Sequence, residues 1–176
     1  KELDLMVLND NLKEFNNNYV VKNDGLAGGK GVKLTEEHLK NTGDTIKFIS
    51  DITSKGNSFI IEEKLSGNEF SVISFTDGED LLHCPAVQDY KRAFEGDTGP
   101  NTGGMGSITN LDFLKYNEYQ EACKVNEMVV RALKQELGKV RGYKGILYGS
   151  FIKTPENRIK VIEYNCRFGD PECLNI

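Results

Sequence analysis

Residues 20–34, "VVKNDGLAGGKGVKL", decide how the rest of the chain is read. The β-branched pair Val20 and Val21 leads into Lys22, four glycines and Lys30 follow, and a second apolar run begins at Val32. The pattern predicts a strand, a glycine loop and a strand. A P-loop needs a glycine where Asp24 stands and a Ser or Thr where Gly31 stands, so that reading fails. The dinucleotide fingerprint fails as well, because its third glycine position is Leu34. What remains is a hairpin whose N–H groups and lysines can fold over a polyphosphate. A lysine about 4 Å from a phosphate charge gains on the order of 4 kcal/mol at an effective dielectric near 20, before desolvation is subtracted. A surface hairpin with solvated lysines is the alternative, and the loop by itself does not choose between them.

Outward from the loop, Tyr19–Lys22 and Gly31–Leu34 read as short strands, Thr35 to about Ser54 as a polar helical stretch, and "SFIIEEKL", Ser58–Leu65, as a strand. These predict a small β-α-β lobe over residues 1–64 and a larger one over residues 65–176. In the larger lobe "EFSVISFTDG" alternates into a turn at Asp77-Gly78, and a strand-like "LLHCPAVQ" follows. From Asn117 to Val140 the residues Ala122, Val125, Met128, Val129, Ala132, Leu133 and Leu137 recur at helical spacing, with Gly138 near the stop. "GILYGSFIK" and "RIKVIEYN" flank "TPEN" as an antiparallel pair.

Two further constellations carry chemistry. Glu163 and Asn165 lie two apart in a strand, so their oxygens point to one face, a pair suited to magnesium completed by phosphates and water. An exposed polar strand face is the alternative. Arg167 follows, placed to hold phosphoryl oxygens, with a structural Arg167–Asp170 pair as its alternative. "QDYKRAFEGDTGPNTGGMG", Gln88–Gly106, is long for a passive loop and gathers Asp89, Lys91, Arg92, Asp97, Asn101 and Thr102 among glycines. Such density suggests a small, polar, charged substrate.

The 176 residues carry 27 acidic against 22 basic side chains, a net charge of −5. This argues against a general nucleic-acid binder or an anionic-membrane binder, and any anion needs a local site. No apolar run approaches the roughly 18 residues of a membrane span, and "KELDLMVLND" lacks a signal-peptide layout. Cys84, Cys123, Cys166 and Cys173 include no C-x-x-C pair, and their sparseness predicts free buried thiols in a cytoplasmic protein. The missing initiator Met and the close at "GDPECLNI" predict a piece of a longer chain.

The strings "VVKNDGLAGGKGV", "IIEEKLSGNEFSV", "QDYKR" with "GDTGPNTGGMG", and "GILYG" with "EYNCRFGDPE", in this order over about Val20 to Glu172, resemble the ATP-grasp superfamily. Among its members they resemble the glycinamide ribonucleotide synthetases, or phosphoribosylamine–glycine ligases. The resemblance implies an α+β fold of two lobes whose antiparallel sheets grip ATP. It implies a reaction in which ATP phosphorylates glycine and 5-phosphoribosylamine attacks the acyl phosphate, with Mg2+ (Mn2+ as its substitute), in purine biosynthesis. By that resemblance Lys22 contacts ATP phosphates and Gly28, Gly29, Lys30 and Gly31 form a lid. Glu62, Glu63 and Leu65 line the adenine hinge, partly through backbone groups, and Glu69 accepts from the ribose. Glu163 and Asn165 hold the metal and Arg167 the transferred phosphoryl group. Asp89, Lys91, Arg92, Asn101, Thr102, Gly103, Gly104, Met105 and Asp170 surround glycine and the phosphoribosylamine. Family members also carry an N-terminal domain and a C-terminal lobe.

The sequence departs from the family at Gly28, where a second alanine is usual, at Ser107-Ile108, and at Tyr90, where histidine is usual. A phenol still donates and accepts, but it removes a group that titrates near neutrality. Two other function classes remain open: a nucleotide-binding module without turnover, and an ATP-grasp ligase for a different carboxylate and amine.

Overall fold

Alternation builds the first sheet. In β1 (Tyr19–Asp24), Tyr19 and Val21 point to one face and Val20 and Lys22 to the other. The computed structural model describes residues 5–25, 31–96, 98–137 and 142–176. The chain divides into two units, Lys1–Leu65 and Ser66–Ile176.

The first unit opens with α1 (Leu5–Glu14), a helix unread in the sequence. Its Leu8 and Leu12, one turn apart, are buried with Tyr19, Val21, Leu39 and Ile49. β2 (Val32–Leu34) and β3 (Ser58–Glu63) flank β1 antiparallel, in the order β2-β1-β3. The helical stretch expected from Thr35 begins only at α2 (Thr42–Thr53). Two local effects delay it. Thr35 is tied to the start of β1, its N–H donating to the Tyr19 carbonyl at 3.1 Å and its Oγ1 accepting from the Tyr19 N–H at 3.2 Å. Asn41 then caps the helix by accepting from the Asp44 N–H at 3.0 Å, while Asp44 Oδ2 accepts from the Lys40 N–H at 2.9 Å. The last strand stops at Glu63, short of the expected Leu65.

The second unit is a four-stranded antiparallel sheet with one long helix on one face. β4 (Asn68–Thr76) ends in a turn where Asp77 Oδ1 accepts from the N–H groups of Glu79 and Asp80, both at 2.9 Å. Those bonds hold the Asp77 carboxyl below its ordinary value. Of "LLHCPAVQ", β5 (Leu81–His83) pairs with β4, Val87 bridges to Ser71 of β4 through backbone bonds of 2.8 and 3.0 Å, and the chain then reaches β6 (Gln88–Asp89).

The glycine-rich stretch after it is not a loop but two nested ribbons. β7 (Arg92–Phe94) pairs with β8 (Thr98–Asn101), and outside them β6 pairs with β9 (Ser107–Ile108). Gly99 permits the inner hairpin: its φ is +82°, and a Cβ there would lie 2.4 Å from the Phe94 ring.

α3 (Tyr116–Leu137), β10 (Gly145–Lys153), β11 (Ile159–Asn165) and a 3₁₀ turn (Glu172–Asn175) complete the chain. The sheet order is β11-β10-β4-β5. α3 buries Ala122, Cys123, Asn126 and Val130, so the buried stripe lies to one side of the one expected, and Met128 is 65% exposed. Asn126 is the reason an apolar count misplaces it: its Nδ2 donates to the Val72 carbonyl at 3.1 Å and Ser74 Oγ at 2.9 Å, and its Oδ1 accepts from the Tyr164 hydroxyl at 3.0 Å. The four cysteines are free, but only Cys123 is buried, against the expectation for all of them. No helix among the described residues is long and apolar enough to cross a membrane.

Candidate active site

In the first unit the helices cover the Tyr19–Val21 face of the sheet, and the opposite face carries Val20, Lys22, Ile60, Glu62, Val32 and Leu34 by register. Lys22 Nζ lies 2.5 Å from Glu62 Oε2, with the lysine side chain 17% exposed and the glutamate 41%. A half-buried ammonium already paired with a carboxylate is a charge held in place, ready to exchange or share its partner with a phosphate. Glu63 falls on the other face by alternation, so its side chain does not join Lys22 and Glu62. Leu65 is partly buried beyond the end of β3. Gly31 closes the glycine loop, its carbonyl accepting from the Asn23 N–H at 2.8 Å. Gly28, Gly29 and Lys30 lie outside the described residues, as do Asp97 and Gly138.

In the second unit the same division holds. Phe70, Val72, Phe151 and Tyr164 turn toward α3, and the opposite face carries Glu69, Ser71, Ile73, Tyr148, Ser150, Glu163 and Asn165. A bulge between Ser150 and Phe151 in the β10–β11 pairing sets Glu163 opposite Ser150 and Asn165 opposite Tyr148. Asn165 Nδ2 donates to Glu163 Oε1 at 3.1 Å, so the two oxygen-bearing groups expected to serve a metal are neighbours. Among the described residues no group of three His, Cys, Asp or Glu side chains converges on one metal position. Two protein oxygens fit magnesium, which keeps waters and phosphates for its other positions. Glu69 lies exposed on the same face.

Arg167 is exposed, and its Nη1 donates to the Phe168 carbonyl at 2.9 Å. No ion pair joins it to Asp170 among the described residues.

The nested ribbons order the expected substrate residues. Arg92 Nη1 donates to the Gly99 carbonyl at 3.0 Å, bracing the inner hairpin. Thr102 Oγ1 donates to the Lys91 carbonyl at 2.9 Å and accepts from the Gly104 N–H at 3.1 Å. Asn101, Gly103, Met105 and Asp170 are exposed. Asp89 is not: its side chain is 7% exposed, and its carboxyl is pushed up to about 6 by burial, then by Glu172.

The sequence reading missed a buried chain beside it. Ser71 Oγ donates to the Tyr148 hydroxyl at 2.7 Å, and that hydroxyl donates to Glu172 Oε1 at 2.6 Å. Burial and Glu172 hold the Tyr148 phenol above its ordinary value. The available signal was Ser71, Tyr148 and Ser150, polar residues recurring at alternate positions in otherwise apolar strands.

Residues 3–173 match the family described as phosphoribosylglycinamide synthetase, ATP-grasp (A) domain. The chain belongs to this family. The ATP-grasp domain is 43% identical to a phosphoribosylamine–glycine ligase of Methanothermobacter thermautotrophicus, over 96% of this chain and 40% of that relative. Its fold superposes with a TM-score of 0.78 on the crystal structure of the Thermotoga maritima phosphoribosylamine–glycine ligase, at 34% identity over 94% of this chain and 41% of that one. A carboxyaminoimidazole ribonucleotide synthase from Aspergillus clavatus, solved with ATP, shares the fold at 15% identity and a TM-score of 0.67, over 92% of this chain and 37% of that one. The expected α+β ATP-grasp fold is therefore the one observed. The ATP-grasp domain spans about two fifths of the length of these ligases.

Proposed function

We propose that this ATP-grasp domain serves a cytoplasmic phosphoribosylamine–glycine ligase as its ATP-binding and phosphoryl-transfer part. ATP phosphorylates the glycine carboxylate, and the amine of 5-phosphoribosylamine displaces phosphate to give glycinamide ribonucleotide, ADP and phosphate. The observation that carries this is the family match over residues 3–173, in which every motif quoted from the sequence falls.

Lys22 offsets charge on the ATP phosphates, beside the lid of residues 28–31, and Arg167 holds the oxygens of the phosphoryl group in transfer. Glu62, Glu63 and Leu65 take the adenine edge, partly through backbone groups, and Glu69 the ribose hydroxyls. Glu163 and Asn165 would hold magnesium, which when bound neutralises phosphate charge. Asp89, Lys91, Arg92, Asn101, Thr102, Gly103, Gly104, Met105 and Asp170 form the substrate side. The nucleophile is an amine and the leaving group a phosphate, so positioning and charge supply the rate.

The test is ADP release by the full-length protein with Mg-ATP and glycine, with and without fresh 5-phosphoribosylamine. Turnover requiring both substrates is expected, and Lys22→Ala and Glu163→Ala should each lower it by about 100-fold or more, as removal of transition-state charge partners does. Unchanged turnover in both variants overturns the assignment.

A further inference from the structure

Asn126 of α3 is fully buried and meets three neighbouring strands at once. Its Nδ2 donates to the Val72 carbonyl and Ser74 Oγ of β4, at 3.1 and 2.9 Å, and its Oδ1 accepts from the Tyr164 hydroxyl of β11 at 3.0 Å. Val72, Gly149 and Tyr164 are register partners in one row across the sheet, so the amide reaches from β4 to β11 over β10. Gly149 makes room for it: a Cβ there would lie 2.6 Å from Asn126 Oδ1. Both the nitrogen and the oxygen of the amide are bonded, which offsets the cost of burying it and selects one arrangement of these elements.

The network continues to the sheet edge. Ser74 Oγ shares a hydrogen bond of 2.8 Å with His83 Nδ1 of β5, and His83 Nε2 stands 3.7 Å from Oε1 of Glu127, the residue after Asn126 on α3. One end of the amide is thus tied into β4 and β5, and the other reaches Tyr164. That tyrosine lies between Glu163 and Asn165, whose side chains point to the opposite face. Beside Glu163 the ladder to β10 shifts register, between Ser150 and Phe151, and a bulge lets a strand bend and twist. Backbone pairing alone therefore does not set the angle at which the Glu163–Asn165 pair stands. The Tyr164 side chain supplies the constraint, bonded to Asn126 and packed edge-on to Phe151 with ring centroids 6.3 Å apart.

We propose that Asn126 is a positioning residue for the metal pair, acting through Tyr164 to fix how β11 presents Glu163 and Asn165. This rests on the assignment of that pair to magnesium in the ligase reading above. Outer groups that orient ligating side chains are commonly worth about 10- to 100-fold in metal affinity, and Asn126, acting through the strand, belongs at the low end.

The test is calorimetric binding of Mg-ATP, and of ATP with EDTA, to the full-length protein, read as the ratio of the two Kd values. Tyr164→Phe keeps the ring and removes the bond to Asn126. It should reduce the wild-type preference for Mg-ATP by about tenfold, with the Kd for ATP in EDTA kept within about twofold. Ser74→Ala removes a bond to the same amide but not the link to β11, and should leave the preference within about twofold. Asn126→Ala should match Tyr164→Phe, and the double variant should add nothing, because the two residues act as one unit. In ADP release, the magnesium concentration giving half-maximal rate should rise in Tyr164→Phe, with kcat at saturating magnesium largely kept. Equal preferences in wild type and Tyr164→Phe, or equal losses in Tyr164→Phe and Ser74→Ala, overturn the positioning role and leave a core amide that serves stability alone. Should Asn126→Ala fail to fold, the other two variants decide. A wild type with no preference for Mg-ATP removes the metal pair from the ligase reading and this inference with it.

Discussion

At the scale of single residues, Asp89 makes a pH prediction with a definite sign. Its carboxyl, ordinarily near 3.8, is pushed up to about 6 in the folded chain, first by burial and then by Glu172. The folded chain therefore keeps a proton that the unfolded chain has released, and stability falls as pH rises from about 4 through about 6. Asp89→Asn removes that dependence. Denaturant unfolding of wild type and variant at pH 4.5 and 7.5 should show the difference moving in the variant's favour at the higher pH, by on the order of 1 kcal/mol after solvent screening. Background titrations cancel in the difference, so a value independent of pH would mean an ordinary carboxyl. Other single residues are legible in the amino-acid order alone. Glu163 and Asn165 share a face because strands alternate, and their 3.1 Å contact follows from that period. Tyr148 and Glu172 are not legible as partners, because 24 residues separate them in the chain and no local pattern links a strand to a turn that far away.

At the scale of elements, α3 is pinned to β10 by an ion pair buried at both ends. Lys153 Nζ donates to Glu118 Oε2 at 2.8 Å, with the lysine side chain 11% and the glutamate 6% exposed, and also donates to the Phe113 carbonyl at 2.7 Å. Burial is the largest influence on Glu118 and pushes its carboxyl up, but the bonds from Lys153 and the Lys115 N–H outweigh it and hold it below its ordinary value. Lys153→Met leaves a buried carboxylate without its counter-ion and should cost about 3 kcal/mol at pH 7, measured by denaturant unfolding. Because Glu118 is depressed when folded, its contribution is present above about pH 4.5 and lost as pH falls through its lower folded value. The variant's deficit should therefore shrink in acid, and a constant deficit would point to packing instead. Strands with β-branched runs, such as Ser58–Glu63 and Gly145–Lys153, are readable from their composition. The nested ribbons are not, because two- to four-residue strands held by backbone bonds and turn glycines have no periodicity to detect. The start of α2 is misplaced for a related reason: Thr35 bonds to Tyr19, a partner 16 residues away that local pattern cannot supply.

At the scale of the whole chain, each unit has its own buried apolar cluster, and nucleotide binding can be measured by its effect on stability without turnover. A ligand that binds only the folded state stabilises it by about 2.7 kcal/mol at 100 times its Kd. For a chain of this size that is a rise of several degrees in Tm, about 2–4 °C per kcal/mol. Mg-ATP should produce such a rise in calorimetry of the 176-residue chain. The double variant Glu163→Ala, Asn165→Ala should lose most of it when magnesium is present and little when the nucleotide is supplied with EDTA, since the pair is assigned to the metal. Lys22→Ala should weaken the rise in both conditions, because it is assigned to phosphate charge directly. Equal shifts in all variants would overturn these assignments. A shift in this chain, with no glycine-dependent ADP release from the full-length protein, would select the nucleotide-binding module over the ligase. Turnover with another carboxylate and amine would select a different ATP-grasp ligase.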